Sequence, residues 1–211
     1  MLGRLCRHAA RGALAGSAAA GCAAVAAAAR SNDLPPLIAE LAEADVVVTN
    51  WAGTHSASPS SYFQPEDAPT VALVVRLMHE ARQKLRVVGS ALSPNGLGLS
   101  DGAMLNMAQC DRVVRVDAEA MTVTVQAGAR VADVVEAIRP YGLTLQNYAS
   151  IAEQQVGGFV AVGAHGTGAR LPPVDEQVVS FTLHTPAEGE VTLSAQSNPE
   201  LFRLARVGLG A

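Results

Sequence analysis

The stretch 87-VVGSALSPNGLGLSDG-102 decides how this chain is organised, because a short strand runs directly into a loop rich in glycine and serine. The strand is 85-LRVVG-89, which ends at glycine. Glycine accepts positive φ and lets an anion approach the main chain, so that consecutive backbone N–H groups can turn toward one point. The loop therefore predicts either a diphosphate site held by amide dipoles or an ordinary surface turn, and the residues alone leave both open.

A second glycine-rich segment lies further along, at 157-GGFVAVGAHGTGARLPP-173. It starts as a helix of small residues and breaks at Gly163. Small side chains along one side of a helix let a flat group or another backbone pack in close contact. His165 is then either a hydrogen-bond donor to a cofactor or a structural histidine. Neither glycine-rich segment fits the P-loop pattern or the Rossmann pattern with its following acid, so neither of those nucleotide sites is predicted.

The other segments mix helices and strands without a regular alternation, which favours an α+β domain over a doubly wound sheet. Helical spacing or capping residues predict helices over 34–44, 69–84, 130–142 and 199–208, the last capped by Asn198. β-branched runs predict strands over 46–51, 104–106, 113–117, 121–127, 178–185 and 190–195. The strands 113–117 and 121–127 are expected to form a hairpin, and a turn over 186–189 joins 178–185 to 190–195. The Ser- and Pro-rich stretch 52–69 is expected to be an exposed connection.

Charge argues against a nucleic-acid partner. The chain has 15 basic and 19 acidic residues, a formal charge of -4. Four of the arginines lie before residue 31, so the remaining body has 11 basic residues against 19 acidic ones. Phosphate binding in nucleic acids depends on lysine and arginine. We therefore expect no nucleic-acid partner.

Residues 1–30 are rich in alanine and contain arginine but no acid. Such a segment indicates a transit peptide, a membrane anchor over 13–29 or a secretory signal, and alanine is only weakly apolar for a span. If it is removed, Cys6 and Cys22 leave with it and Cys110 remains alone. The sequence then predicts no disulfide framework and no cysteine metal site.

Taken together, these motifs resemble a known family. The strings VVGSALSPNGLGLSDG, VTVQAGARVADVVEAI, YGLTLQNYASIAEQQVGG, VGAHGTGARLPPVDEQV and NPELFRLARVGLG, in this order, resemble the FAD-binding domain of the vanillyl-alcohol oxidase family, also called the PCMH type. Within that family they are most similar to the mitochondrial aldonolactone dehydrogenases. The resemblance runs from about Thr49 to the last residue.

The resemblance implies a domain of two α+β subdomains with FAD between them, truncated before a substrate-capping domain. It divides the chain into a mitochondrial transit peptide (1–32), an N-terminal extension and linker (33–68) and the FAD-binding domain (69–211), with subdomains of about 69–117 and 121–211. The residues implied to line the diphosphate and the flavin edge are Val88, Gly89, Ser90, Ala91, Leu92 and Ser93. Those implied to surround the ribityl chain and the flavin ring are Asn147, Ala149, Ser150, Gly157, Gly158, Gly163, His165 and Gly168.

Two of these positions carry a chemical expectation. Relatives that bind flavin covalently have a histidine where this chain has Leu92, so the resemblance implies non-covalent FAD. Ala149 matches the residue on the dioxygen side of the flavin, and its methyl group favours a dehydrogenase over an oxidase.

The implied activity is FAD-dependent oxidation of L-galactono-1,4-lactone, a sugar lactone, to L-ascorbate, with cytochrome c as electron acceptor. The implied location is the mitochondrial inner membrane or intermembrane space. The alternatives are a non-catalytic flavin-binding scaffold that associates with complex I assembly intermediates, and a related aldonolactone oxidoreductase. The residues that position the substrate are expected in the capping domain, beyond Ala211, and no metal is expected.

Overall fold

A computed structural model describes residues 34–210. The predicted transit peptide at 1–32, with Cys6 and Cys22, therefore lies outside the described residues. The remaining chain forms two small α+β units, one built around a four-stranded sheet and one built around two hairpins. The α+β architecture predicted from the mixed element order is what the described residues adopt.

The first unit is a mixed sheet covered by one long helix. Its elements are α1 (Pro36–Ala39), β1 (Ala42–Glu43), β2 (Val48–Thr49), β3 (Ser56–Ala57), β4 (Ser61–Phe63), α2 (Ala68–Glu80), β5 (Leu85–Val88) and β6 (Ala103–Asn106). The sheet order is β1-β4-β6-β5, with β4 and β5 both parallel to the central β6, and β2 and β3 form a separate hairpin. Since β5 and β6 run parallel, the glycine loop between them must cross from one end of the sheet to the other.

Helix α2 supplies the core of this unit. The Asp67 side chain caps it by accepting a hydrogen bond from the Thr70 N–H at 2.8 Å. Its buried residues Val71, Val74 and Met78 recur at helical spacing and pack against the sheet residues Phe63 and Leu105. This packing holds β5 in place, and so it fixes where the glycine loop starts.

Three local expectations were wrong. The stretch 52–69 is not an exposed connection throughout, because all three residues of β4 are buried between β1 and β6. The predicted helix over 34–44 is only the four residues of α1, followed by β1. Asn198 precedes the last helix at φ 54°, but its side chain makes no capping hydrogen bond. The predicted linker 33–68 therefore contributes strands to the sheet of the first unit.

The second unit consists of two hairpins with helices between and after them. Its elements are β7 (Val113–Asp117), β8 (Thr122–Val125), α3 (Val131–Ile138), a 3-10 helix (Arg139–Tyr141), α4 (Val156–Ala161), a 3-10 helix (Val174–Gln177), β9 (Ser180–Thr185), β10 (Gly189–Ser194) and α5 (Pro199–Ala205). Both hairpins are antiparallel, as predicted. Val131, Phe159 and Val174 form the buried cluster that joins α3 to α4.

The two units meet along a close main-chain contact. Gly128 donates a hydrogen bond from its N–H to the Cys110 carbonyl at 2.8 Å. A Cβ at Gly128 would lie only 1.8 Å from the Met107 carbonyl oxygen, so this crossing requires glycine. The β9–β10 hairpin lies against α2 of the first unit. These contacts set the end of β5 beside the start of α4.

Candidate functional site

An open cleft with a volume of about 120 Å³ lies where the two units meet. One wall is the glycine loop that follows β5, and the other is the segment from Gln154 through α4. Leu209 and Gly210 contribute to its edge.

Hydrogen bonds from the neighbouring Asn50–Trp51 segment to its carbonyl groups fix the glycine loop. The Trp51 N–H donates to the Ala91 carbonyl at 3.1 Å, and the buried Asn50 amide donates to the Ser93 carbonyl at 3.1 Å. In a trans peptide the N–H points opposite to the carbonyl. The N–H of Leu92 is therefore turned away from the 50–55 segment. This orientation makes the Leu92 N–H a candidate hydrogen-bond donor to a bound anion.

Ala91 bends this loop at a conformational cost. Its φ is 51°, in the left-handed region that glycine occupies without penalty. For a residue with a Cβ this conformation costs about 1–2 kcal/mol. The strain lies within the loop that lines the cleft.

Two contacts join the walls of the cleft. The Ser90 hydroxyl donates a hydrogen bond to the Glu153 carbonyl at 2.9 Å. Gly89 lies against the Gln155 side chain, since a Cβ at position 89 would be 2.7 Å from the Gln155 Oε1 atom. The glycine thus lets the Gln155 amide reach the main chain of the loop.

Two consecutive glycines at the start of α4 face in different directions, and one of them contributes to the second wall. Gly157 packs toward the protein: its N–H donates to the Ala127 carbonyl at 2.8 Å, and a Cβ there would lie 3.1 Å from the Ala127 Cβ. Gly158 faces the cleft, and a Cβ there would meet no atom within 4 Å. Phe159 is buried beneath them. The helix therefore presents a bare main-chain surface to the cleft.

Half of the residues expected from the sequence come together here. Those that line the cleft are Val88, Gly89, Ser90, Ala91, Leu92, Ser93 and Gly158. Those that do not line it are Asn147, Ala149, Ser150, Gly157, Gly163, His165 and Gly168. Of the second group, Ser150 is exposed and Ala149 packs against the Val131–Phe159–Val174 cluster.

Asn147 and His165 make local bonds within the second glycine segment. The Asn147 side chain accepts a hydrogen bond from the Gly168 N–H at 2.9 Å and donates to the Leu171 carbonyl at 3.1 Å. His165 is exposed, and its Nδ1 bonds the carbonyl of its neighbour Gly166 at 2.8 Å. Asn147 therefore organises the loop that contains Gly168, which is a role that its sequence neighbours do not reveal.

Sequence reasoning missed several residues that line the cleft, and three of them carry polar or charged side chains that bear on ligand binding. Gln154 and Gln155 stand directly before the predicted glycine pair, and both line the second wall. Arg86 lies on β5 and also lines the cleft. The expectation that amide dipoles alone would face a bound anion was therefore incomplete. Strand alternation gave no signal for Arg86, because β5 is only four residues long.

The cleft is electrostatically favourable to an anion. Arg86 is the cationic side chain among its lining residues, and no Asp or Glu side chain lines it within residues 34–210. The two residues with shifted pKa values, Asp67 and Cys110, do not line the cleft. Hydrogen bonding from the side chain and backbone of Thr70 lowers the pKa of Asp67, and burial raises the pKa of the Cys110 thiol.

Residues 34–210 contain no group of three or more His, Cys, Asp and Glu side chains that could hold a metal ion. No helix within the same range combines the length and the apolar character that crossing a membrane requires.

Comparison with known proteins gives consistent matches. A family model described as FAD binding domain matches residues 59–194. The chain is 56% identical over 163 residues to the mitochondrial L-galactono-1,4-lactone dehydrogenase of Arabidopsis thaliana, covering 77% of this chain and 27% of that protein. It is 37% identical over 161 residues to the L-gulonolactone oxidase of Bos taurus, covering 76% of this chain and 37% of that protein.

A solved structure shares the fold. An alkyldihydroxyacetonephosphate synthase superposes with a TM-score of 0.63 at 20% identity, covering 72% of this chain and 31% of that one. This match confirms the fold class predicted from the sequence. The chain thus spans about a quarter of the length of the plant relative and about a third of the other two.

Proposed function

Because the chain belongs to the FAD binding domain family, we propose that it binds FAD in the cleft between the Gly89–Ser93 loop and α4. The single observation that carries this proposal is the cleft itself, where a loop fixed by hydrogen bonds to its carbonyl groups faces the bare main chain of Gly158 at the start of α4. The orphaned carbonyl oxygens of Gln154 and Gln155 and the open space above Gly158 also fit a ligand of this kind.

The residues that would hold FAD divide by chemistry. The main-chain N–H of Leu92 and the guanidinium of Arg86 would face the diphosphate, where amide dipoles and a positive charge both favour an anion. Gly158 would leave room for a flat group to approach the main chain. Leu92 lines the cleft and has no nucleophilic nitrogen, so the binding we propose is non-covalent.

The proposed activity is that of an FAD-dependent oxidoreductase that converts L-galactono-1,4-lactone to L-ascorbate and passes electrons to cytochrome c. Its support is the 56% identity to an enzyme named for this lactone. Bound flavin would supply a hydride acceptor, and the role of this chain is to bind and orient it. A related aldonolactone is the alternative substrate, since relatives named for other lactones also match.

The proposed location is the mitochondrion, at the inner membrane or in the intermembrane space, since plant relatives that this chain matches at 56% identity are named mitochondrial. The alternative function is a non-catalytic scaffold that binds flavin. In that role the chain would associate with complex I assembly intermediates.

The proposal is tested by titrating the purified chain with FAD while its melting temperature and the flavin fluorescence are recorded. We expect the melting temperature to rise and the fluorescence to change with saturation at one FAD per chain. Acid precipitation of the loaded protein should then release all the flavin into the supernatant, as non-covalent binding requires. Loss of the flavin absorption band on anaerobic addition of L-galactono-1,4-lactone would establish the substrate. No shift of melting temperature in excess FAD would refute the cofactor and everything built on it.

A further inference from the structure

Two consecutive glutamines end in unpaired carbonyl oxygens at the cleft. Gln155 is only 7% exposed. Four buried side-chain polar atoms have no hydrogen-bond partner within the described residues, and two of them are the Oε1 atoms of Gln154 and Gln155. Both residues line the cleft wall opposite the glycine loop. Buried polar atoms are normally paired, so adjacent exceptions in one cleft require an explanation.

The main chain around these glutamines is fixed by its own hydrogen bonds. The Val131 N–H donates to the Gln154 carbonyl at 2.9 Å, and the Phe159 N–H donates to the Gln155 carbonyl at 2.8 Å. The Gln155 amide is also confined from the other side, since Gly89 is in contact with its Oε1. A small backbone shift therefore cannot carry this side chain out of the cleft.

The chemistry of an amide oxygen defines what can satisfy it. A carbonyl oxygen accepts hydrogen bonds and cannot donate them. An ionised diphosphate has only acceptors, so it cannot pair with the Oε1 atom of Gln155. FAD carries hydroxyl donors directly on either side of its diphosphate, on the ribityl chain and on the adenosine ribose. A hydroxyl group is therefore the complementary partner next to a loop that faces a diphosphate.

We propose that Gln155, with Gln154 beside it, accepts a hydrogen bond from a sugar or polyol hydroxyl of the bound dinucleotide, and so distinguishes the hydroxylated part of the ligand from its diphosphate. This inference rests on the proposed binding of FAD in the cleft. It assigns the two glutamines to ligand binding, whereas burial alone would assign Gln155 to the core.

The test compares the full chain with its Gln155→Met variant, because methionine has a similar length and volume without the polar atoms. The melting temperature without ligand and the Kd for FAD are measured for both. Gln154→Met is a second cleft variant, and it changes a less buried side chain. Gln196→Met is the matched control, because Gln196 is exposed in the turn after β10.

We expect Gln155→Met to keep or raise the melting temperature of the free protein, because an unpaired buried carbonyl is removed. Its Kd for FAD should rise about tenfold, the effect of losing one hydrogen bond. The same comparison with FMN and with ADP shows which hydroxyl of FAD contacts Gln155. Weaker binding of FMN by the variant identifies a ribityl hydroxyl, and weaker binding of ADP identifies a ribose hydroxyl. Gln196→Met should leave both quantities unchanged.

An unchanged Kd for FAD in Gln155→Met, with a lowered melting temperature, would overturn the inference and make Gln155 a core residue. This outcome leaves the proposed function intact, because the wild-type chain would still bind FAD. Failure of the wild-type chain to bind FAD would overturn both together.

Discussion

The Ser90 hydroxyl donates a hydrogen bond to the main-chain carbonyl of Glu153 over 2.9 Å, and this bond connects two residues that are 63 positions apart in the chain. It links the glycine loop of the first unit to the segment that leads into α4 in the second. This hydrogen bond thus joins the two walls of the cleft.

Replacing Ser90 by alanine should loosen this connection. We expect Ser90→Ala to lower the free energy of unfolding by about 0.5–1.5 kcal/mol, since one hydroxyl–carbonyl hydrogen bond is lost. The Kd for FAD should rise, because the walls are less well ordered before binding. Denaturant unfolding and FAD titration measure the two effects.

The matched control is Ser197→Ala, which removes a hydroxyl–carbonyl bond to Thr192 away from the cleft. This variant should lower the free energy of unfolding without changing the Kd for FAD. Equal FAD affinities in Ser90→Ala and the wild type would show that the bond does not organise the site.

Ala91 is strained, so Ala91→Gly should stabilise the free protein. Removing the left-handed penalty of about 1–2 kcal/mol outweighs the entropic cost of glycine, about 0.5–1 kcal/mol. A net gain of roughly 0.5–1 kcal/mol corresponds to about 2 °C in melting temperature for a chain of this size. Calorimetry without ligand measures the change.

Ala169→Gly is the control for Ala91→Gly, because Ala169 is exposed and its φ is not positive. It introduces the same glycine without relieving strain, so it should not raise the melting temperature. A melting temperature that falls in both variants would contradict the strain at Ala91.

Gly158 and Gly157 should respond in opposite ways to alanine. Gly158→Ala adds a methyl group that meets no atom within 4 Å, so the free protein should gain about 0.5–1 kcal/mol from the higher helix propensity of alanine. The same methyl group projects into the cleft and should weaken FAD binding. Gly157→Ala instead crowds Ala127 and should lower the stability of the free protein.

Thermal unfolding with and without FAD separates these effects. If Gly158→Ala bound FAD as tightly as the wild type, the ligand would not approach the start of α4. Such a result would move the proposed site away from this helix.

Asp67 should contribute a pH-dependent part of the stability of α2. Hydrogen bonding from Thr70 holds the pKa of this carboxyl below its ordinary value of 3.8. A group whose pKa is lowered on folding stabilises the protein above the unfolded pKa, and this contribution is lost as the pH falls through the folded pKa. As the pH falls below 3.8, the melting temperature of the wild type should therefore decrease, and protonation of Asp67 should account for part of the decrease.

Asp67→Asn keeps a capping residue but removes the ionisable group. The difference in melting temperature between neutral pH and a pH below 3.8 should be smaller in this variant than in the wild type. Identical acid sensitivity in the two proteins would mean that Asp67 does not titrate differently on folding.

Much of the element order followed from local sequence. The run before Gly89 predicted β5, and the spacing of Val71, Val74 and Met78 predicted α2, because both depend on residues a few positions apart. The two hairpins were recognisable for the same reason. Local patterns also singled out the glycine loop and the Gly157–Gly158 pair as candidate site segments.

Tertiary structure decided what those segments face. Ser61–Phe63 is a buried strand only because β1 and β6 pair with it from both sides. The Ser- and Pro-rich residues around it gave no local signal for a buried strand. Gln155 became a candidate ligand contact only when folding set it against Gly89, far away in the chain. Local propensity acts over a few residues, whereas such contacts depend on the packing of the whole domain. The sequence alone therefore determined most of the elements, but neither the buried strand β4 nor the partners of the side chains between the elements.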